Sequence, residues 1–144
     1  MLKALSIIGY VGMVAGIIAL FATKNLISPS ASVITVQAGA ALLILWARLT
    51  FGRRSFHLAA DPTEGGLVTN GPYRLIRHPI YTAVILFCGA GVAAHWSCVG
   101  GLLGGLMAGS ALLRVFCEEV MVTERYPEYR QYAATTWRMI PYVF

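Results

Sequence analysis

Four apolar stretches alternate with polar ones along the 144-residue chain, over residues 4–22, 32–49, 80–94 and 96–116. A helix needs about 20 apolar residues to cross the roughly 30 Å hydrocarbon core of a bilayer. The first, second and fourth stretches approach that length. The third is shorter, and it predicts a helical hairpin with the fourth that turns at His95. We therefore predict an all-α integral membrane protein with about four transmembrane helices and a C-terminal interfacial helix.

Composition supports a membrane location for the whole chain. Hydrophobic residues make up 58% and charged residues 12%, whereas roughly a quarter of an ordinary soluble domain is charged. These values exclude a soluble globular protein and a disordered tail. Three cysteines cannot all pair with one another, and their spacing matches no metal site, so we predict neither a disulfide framework nor a bound metal. At this length we expect one membrane domain over residues 1–144.

Charge predicts the orientation. The net charge is +5, but the basic residues form no continuous stripe, so nucleic acid is not expected as a partner. Cytoplasmic flanks of spanning helices collect Lys and Arg. With four spans, only Lys24 lies on the far side. The other basic residues and all the acids share one side: Lys3, Arg48, Arg53, Arg54, Arg74, Arg77, Arg114, Arg125, Arg130, Arg138, Asp61, Glu64, Glu118, Glu119, Glu124 and Glu128.

We therefore expect both termini, the loop over residues 50–79 and the segment over residues 117–144 to be cytoplasmic, in a plasma membrane such as a bacterial inner membrane. The first stretch is too long and lacks a clear cleavage site for a signal peptide. Glycines recur at four-residue spacing in the first and last stretches, as at Gly12 and Gly16, and this spacing predicts close helix packing.

Two polar clusters interrupt the apolar pattern. The first covers residues 71–81, at the entrance to the third stretch, and the second is Glu118-Glu119, at the exit of the fourth. A hairpin brings these clusters together. Pro79 suits the first turn of a helix, so Arg77 and His78 would precede free helical N–H groups, where an anion is stabilised.

Each cluster also has a plainer interpretation. Arg74 and Arg77 would serve equally well as anchors to lipid phosphates. Glu118 lies four residues after Arg114 and can pair with it on one helix face. Glu119 points about 100° away and has no such partner on its helix, so we expect Glu119 to matter more to ligand binding.

A further helix is predicted after Pro127. Residues 129, 132, 133, 136 and 137 fall at helical spacing and give an aromatic face suited to the membrane interface. This helix is either a plain interfacial anchor or a lid over the acidic pair. In the second case Tyr129 and Tyr132 line a site between lipid and water.

Taken together, these motifs resemble the isoprenylcysteine carboxyl methyltransferase family and the related phospholipid methyltransferases. The resemblance covers roughly the last 75 residues, and the preceding half matches only in hydropathy. The motifs are Gly71-Pro72-Tyr73-Arg74, Arg77-His78-Pro79-x-Tyr81, Glu118-Glu119, Tyr126-Pro127-Glu128-Tyr129-x-x-Tyr132 and Arg138-x-Ile140-Pro141. The resemblance implies membrane helices with an S-adenosylmethionine pocket at the cytoplasmic face.

S-adenosylmethionine carries an ammonium, a carboxylate, a sulfonium and an adenine, so its pocket needs acidic, basic and aromatic groups together. Glu118 or Glu119 would take the ammonium. Arg77 or His78 would take the carboxylate, and Tyr73 or Tyr81 the adenine or sulfonium. The site expected from the resemblance has Arg77, His78 and Arg138 as catalytic residues, Tyr73, Arg77, His78, Pro79, Tyr81, Glu118 and Glu119 as cofactor-binding residues, and Tyr129 and Tyr132 as substrate-binding residues.

The expected methyl acceptor is lipophilic, because a site that opens between helices at the membrane face meets molecules that partition into lipid. An isoprenylcysteine-type carboxylate, a phospholipid amine and a hydrophobic thiol all meet this condition. Three alternatives stay open. An NADPH-dependent reductase of the sterol-reductase type commonly has Asn where this chain has Ile80. A four-span transporter would carry a carboxylate near the bilayer midplane, and none of the four stretches contains one. A structural anchor leaves the polar clusters unexplained.

Overall fold

A computed structural model describes residues 1–52 and 66–144, and these residues are almost entirely helical. The predicted cytoplasmic residues Arg53, Arg54, His57, Asp61 and Glu64 lie outside the described part. The helices are α1 (Leu2–Ala22), α2 (Ala31–Phe51), α3 (Pro79–Ala94), α4 (Cys98–Arg125) and α5 (Tyr129–Thr135), and a 3-10 turn covers Gly71–Arg74. The described residues contain no strand, so the predicted all-α class is confirmed.

Three of the described helices, α1, α2 and α4, are long and apolar enough to cross a membrane. Helix α3 is apolar but has only 16 residues, a rise of about 24 Å, short of the thickness of a typical hydrocarbon core. The chain is thus a membrane protein with three full-length candidate spans and one short apolar helix.

The predicted hairpin between the third and fourth helices is present. Pro79 occupies the first turn of α3, and the helix ends at Ala94, next to His95. Helix α4 begins at Cys98, where the Ser97 hydroxyl accepts a hydrogen bond of 3.0 Å from the Gly100 N–H. It continues to Arg125, beyond the predicted end of the apolar stretch at residue 116. The two glutamates therefore lie on the helix itself.

Glycines let α1 and α4 approach closely, as their spacing predicts. A Cβ atom on Gly9 would lie 2.9 Å from the Ser110 carbonyl oxygen, and one on Gly16 would lie 2.7 Å from the Met107 Cβ. These contacts run along both helices, so the small residues of α1 set the distance to α4.

Helices α2 and α3 form the second extensive contact. Near one end of this pair, the buried Gln37 amide donates hydrogen bonds to the carbonyl oxygens of Leu26, at 2.7 Å, and Phe87, at 3.2 Å. Gly91 packs directly against the Leu26 carbonyl group. The loop between α1 and α2 is thereby tied to α3, and the buried amide of Gln37 supplies the hydrogen-bond donor for the Leu26 carbonyl.

Successive helices alternate in direction. The start of α1, the end of α2, the start of α3 and the end of α4 therefore meet at one end of the molecule, which we call the polar end. Gly71 packs against Thr50 there, and Arg114 donates a hydrogen bond to the Ser6 carbonyl. The described charged residues at this end are Lys3, Arg48, Arg74, Arg77, Arg114, Glu118, Glu119, Glu124, Arg125, Glu128, Arg130 and Arg138, whereas Lys24 lies beyond the opposite end of α1.

Two glycines of α3 offer a matched test of this packing. A Cβ on Gly91 would lie 2.6 Å from the Leu26 carbonyl carbon, whereas nothing lies within 4 Å of one on Gly89. We expect Gly91→Ala to lower the free energy of unfolding by about 1–3 kcal/mol, because backbone must move to admit the methyl group. Gly89→Ala should cause no loss. Thermal unfolding in detergent compares the two variants, and equal stability would contradict the close contact.

Candidate active site

The segment before α3 is built around a tight turn. Gly71 has a φ of 55° and packs against the Thr50 side chain, a position that only glycine fills without strain. The following 3-10 turn buries Tyr73 at the polar end. The chain then continues through Arg77 to His78, which is the N-cap residue of α3.

A short segment after α5 pairs with this one through a parallel bridge between Ile76 and Trp137. The Trp137 N–H donates to the Leu75 carbonyl at 3.0 Å, and the Arg77 N–H donates to the Trp137 carbonyl at 2.8 Å. The His78 N–H donates to the Arg138 carbonyl at 3.0 Å. This short parallel pairing fixes the backbone of Arg77 and His78 and brings Arg138 beside them.

Glu119 lies at the centre of the resulting cluster. Its Oε1 accepts hydrogen bonds from Arg77 Nε at 2.9 Å, His78 Nε2 at 3.2 Å and the Tyr129 hydroxyl at 3.3 Å. Its Oε2 accepts from Arg138 Nε at 2.8 Å and lies 2.7 Å from Arg138 Nη2. These partners of Glu119 come from other segments rather than from its own helix, so the spacing along α4 could not reveal them.

Glu118 points to a different set of neighbours. Its Oε1 accepts hydrogen bonds from the Tyr81 hydroxyl at 2.5 Å and from Arg114 Nε at 3.1 Å, so the predicted pair with Arg114 is confirmed. Its Oε2 lies 3.7 Å from His78 Nδ1. His78 thus sits between the two carboxylates, with one ring nitrogen facing each of them.

Helix α5 turns its tyrosines inward. Tyr129 is buried against Glu119, and the Tyr132 hydroxyl donates a hydrogen bond of 2.6 Å to the Tyr73 carbonyl. Arg77 Nη1 donates to the carbonyl oxygens of Ala133, at 2.9 Å, and Thr136, which ties the end of α5 to the cluster.

Burial keeps these three tyrosines protonated. It raises the pKa of Tyr132 to about 12, and it raises the pKa of Tyr73 and Tyr129 well above the ordinary tyrosine value. Each phenol therefore stays a hydrogen-bond donor at neutral pH.

The predicted aromatic face of this helix needs one correction. Helix α5 ends at Thr135, so residues 136 and 137 are not helical, and Trp137 pairs with the segment before α3 instead. Helical spacing identified which side chains share a face. It did not show that the face is turned toward the acidic pair rather than toward lipid.

The polar end thus collects the side chains that the sequence motifs singled out: Tyr73, Arg77, His78, Tyr81, Glu118, Glu119, Tyr129, Tyr132 and Arg138. Pro79 is buried and begins α3 below them. Sequence reasoning missed two contributions. Arg114 contacts Tyr81 as well as Glu118, with Nε 2.6 Å from the hydroxyl, and its signal was an arginine following a long apolar run.

The second missed contribution is an aromatic pair around Arg138. The guanidinium carbon lies 5.0 Å from the centre of the Phe116 ring and 4.9 Å from that of Phe144. Such contacts favour a cation at low exposure to water. No periodic pattern connects these two phenylalanines, so the pair could not be predicted from the residue pattern.

Comparison with known proteins adds the family. The family model described as phospholipid methyltransferase matches residues 31–129, which include α2, α3, α4 and both polar clusters. No curated protein and no solved structure matches the chain. The matched residues make up more than half of the chain and contain the segment around Arg77-His78 and the Glu118-Glu119 pair. The chain therefore belongs to the phospholipid methyltransferase family of membrane methyltransferases.

Proposed function

We propose that the protein transfers a methyl group from S-adenosylmethionine to a lipophilic acceptor at the cytoplasmic face of a membrane. The observation that carries this proposal is the convergence of Arg77, His78, Tyr81, Glu118 and Glu119 at the polar end of a chain that belongs to a methyltransferase family. When bound, S-adenosylmethionine supplies the activated methyl group. The chain's own side chains hold and orient the reactants.

The cluster has the donors and acceptors that this cofactor needs. Glu118 is the better partner for the ammonium group, because both oxygens of Glu119 accept short hydrogen bonds from charged side chains. Glu118 Oε2, by contrast, has only the 3.7 Å approach of His78 among the described contacts. The Glu118 side chain is also more exposed, at 21% against 13% for Glu119.

Positive charge near Glu119 suits the carboxylate of the cofactor. Arg77 and Arg138 both pair with this single glutamate, so two cations face one anion. Arg138 is the more exposed of the two arginines, with 27% of its side chain accessible against 9% for Arg77. Its Nε and Nη2 both contact Glu119 Oε2, which fixes the orientation of the guanidinium, so a carboxylate meets a preorganised cation.

The remaining roles follow from the neighbours of these groups. Tyr73 and Tyr81 offer aromatic faces for the adenine or the sulfonium, and Tyr129 and Tyr132 line the side of the cluster covered by α5. Methyl transfer is an in-line displacement that depends on alignment and on exclusion of water. An amine acceptor must also lose a proton, and His78, hydrogen-bonded to Glu119, is the group placed to hold it.

A lipophilic acceptor is supported by an apolar groove between α3 and α4. The groove has a volume of about 240 Å³ and is lined by Ile85, Gly89, Trp96, Gly101 and Gly105, among others. The same two helices carry His78 and Tyr81 and the two glutamates at their polar ends. Within this lining Ile85 is the residue nearest the cluster, one helical turn after Tyr81, so we expect an acceptor chain in the groove to place its head at the Ile85 end.

Cofactor binding separates this proposal from the reductase alternative. We expect the purified protein in detergent to bind S-adenosylmethionine with a micromolar dissociation constant, a free energy of about 8 kcal/mol. Calorimetric titration measures the affinity, and thermal unfolding with and without cofactor provides a second readout. Stabilisation by NADPH, with no heat from S-adenosylmethionine at millimolar concentration, would replace the methyltransferase proposal with the reductase.

The two glutamates should respond differently to neutralisation. In Glu118→Gln the amide oxygen still accepts from Tyr81 and Arg114, and the NH2 group faces a histidine nitrogen that can accept. We therefore expect a small loss of stability, and a loss of at least about tenfold in affinity for S-adenosylmethionine, since a charge-assisted hydrogen bond contributes about 1.5–3 kcal/mol.

In Glu119→Gln the NH2 group faces a guanidinium whichever way it turns, and two arginines lose their anion. We expect this variant to lose about 3 kcal/mol of stability, as for other broken buried ion pairs. Thermal unfolding and calorimetry on both variants distinguish the effects. A selective loss of affinity in Glu119→Gln, with Glu118→Gln binding like wild type, would reverse the two roles.

Sealed membrane vesicles from the source cells test the acceptor and the membrane face together. S-adenosylmethionine labelled in its methyl group is charged and enters no sealed vesicle unaided, so we expect label in the organic extract of inverted vesicles and none from right-side-out vesicles. Vesicles carrying Glu118→Gln are the control for background labelling. Label from right-side-out vesicles would place the site on the opposite face, and label confined to the aqueous fraction would contradict a lipophilic acceptor.

A further inference from the structure

Arg114 joins the candidate site to a helix that the family match does not include. It is buried, with 4% of its surface exposed. Its Nε lies 2.6 Å from the Tyr81 hydroxyl and 3.1 Å from Glu118 Oε1. On the other side, Nη1 donates a hydrogen bond of 3.4 Å to the Ser6 carbonyl, and the guanidinium carbon lies 4.8 Å from the centre of the Tyr10 ring.

The guanidinium is planar, so these contacts are geometrically coupled. Nε contacts two groups of the cluster, whereas Nη1 contacts α1 and the guanidinium carbon lies over the Tyr10 ring. If the Tyr10 ring were absent, the plane could rotate, and the direction of the Nε–H donor that faces both Tyr81 and Glu118 would rotate with it. A plain charge-neutralising pair with Glu118 would need no contact with α1.

Helix α1 is held close enough for this role. Ser6 is fully buried, and a Cβ on Gly9 would lie 3.2 Å from the Arg114 Cβ. Helices α1 and α4 are therefore in direct contact next to Arg114. The family match begins at residue 31, after α1 has ended at Ala22. The contact is therefore supplied by a part of the chain that the family description leaves out.

We propose that Arg114 is a positioning residue for the cofactor site and that Tyr10 of α1 holds it in place. Arg114 sets the direction of the Tyr81 hydroxyl and of the Glu118 carboxylate, and through it α1 becomes part of the site. This inference rests on the proposed function, because its readout is the binding of S-adenosylmethionine.

Four variants test the coupling: Arg114→Gln, Tyr10→Leu, Tyr10→Phe and the double variant Tyr10→Leu/Arg114→Gln. Each is first shown to be folded by thermal unfolding in detergent, and its affinity for S-adenosylmethionine is then measured by calorimetry. We expect a loss of at least about tenfold for Arg114→Gln, since it removes charged hydrogen bonds. For Tyr10→Leu we expect a loss of about threefold, because a cation–π contact is removed. Tyr10→Phe keeps the ring and should bind within about twofold of wild type.

The double variant carries the decisive comparison. If Tyr10 acts through Arg114, adding Tyr10→Leu to Arg114→Gln should cause no further loss of affinity, whereas independent effects would add. A merely structural role of Tyr10 predicts lower stability in Tyr10→Leu with unchanged affinity, and that result overturns the inference. A further loss in the double variant overturns it as well.

Failure of the inference and failure of the proposed function give different results. Wild-type protein that binds no S-adenosylmethionine overturns the proposed function and this inference with it. Wild-type binding with unchanged affinity in Tyr10→Leu overturns the inference alone. If Arg114→Gln does not fold, Tyr10→Leu is compared with Tyr10→Phe. A loss of affinity in Tyr10→Leu with unchanged affinity in Tyr10→Phe shows that the aromatic ring, and not the hydroxyl, holds Arg114 and supports the inference. Equal affinities in the two variants overturn it.

Discussion

The carboxylate of Glu119 is the interaction on which the polar end depends. It accepts hydrogen bonds from Arg77 and His78 before α3, from Tyr129 on α5 and from Arg138 near the C-terminus. Two guanidiniums this close would repel one another, and each would lose hydration on burial. The Glu119 carboxylate lies between the two guanidiniums, offsets their repulsion and forms a hydrogen bond with each. Three segments that share no helix with Glu119 are thereby fixed relative to α4.

Apolar packing stabilises two helix pairs, and polar contacts connect the pairs to each other. Helices α1 and α4 pack through glycines, and α2 and α3 form the other extensive contact. The contact between α3 and α4 is smaller than either of these two. The groove lined by Gly89 and Gly105 opens where α3 and α4 separate. At the polar end the two pairs are joined by hydrogen bonds from Tyr81 and His78 to the glutamates. The candidate site therefore lies where the two helix pairs meet.

Hydropathy was sufficient to predict the helices and to bring the two clusters together, because a short hairpin leaves few ways to place residues 71–81 and Glu118-Glu119. It could not predict where α4 ends. Charged residues interrupt an apolar run, but the backbone hydrogen bonds of a helix continue regardless of side-chain polarity, and α4 extends to Arg125. The partners of Glu119 were equally hidden, since Arg138 comes from an irregular segment with no periodic signal. Periodicity grouped Tyr129 with Tyr132, yet the direction of their face depends on tertiary contacts.

Glu118 and Glu119 look like one acidic pair in the sequence, but they belong to different environments. Adjacent residues on a helix point about 100° apart, so Glu119 faces the segments from α5 and the C-terminal part of the chain while Glu118 faces Tyr81 and Arg114. His78 contacts both, with Nε2 at Glu119 and Nδ1 toward Glu118. If Nε2 carries the proton donated to Glu119, Nδ1 is left as an acceptor facing the less occupied oxygen of Glu118. Through His78, the position of the Glu119 carboxylate thus affects the hydrogen-bonding groups beside Glu118, although the two carboxylates face different neighbours.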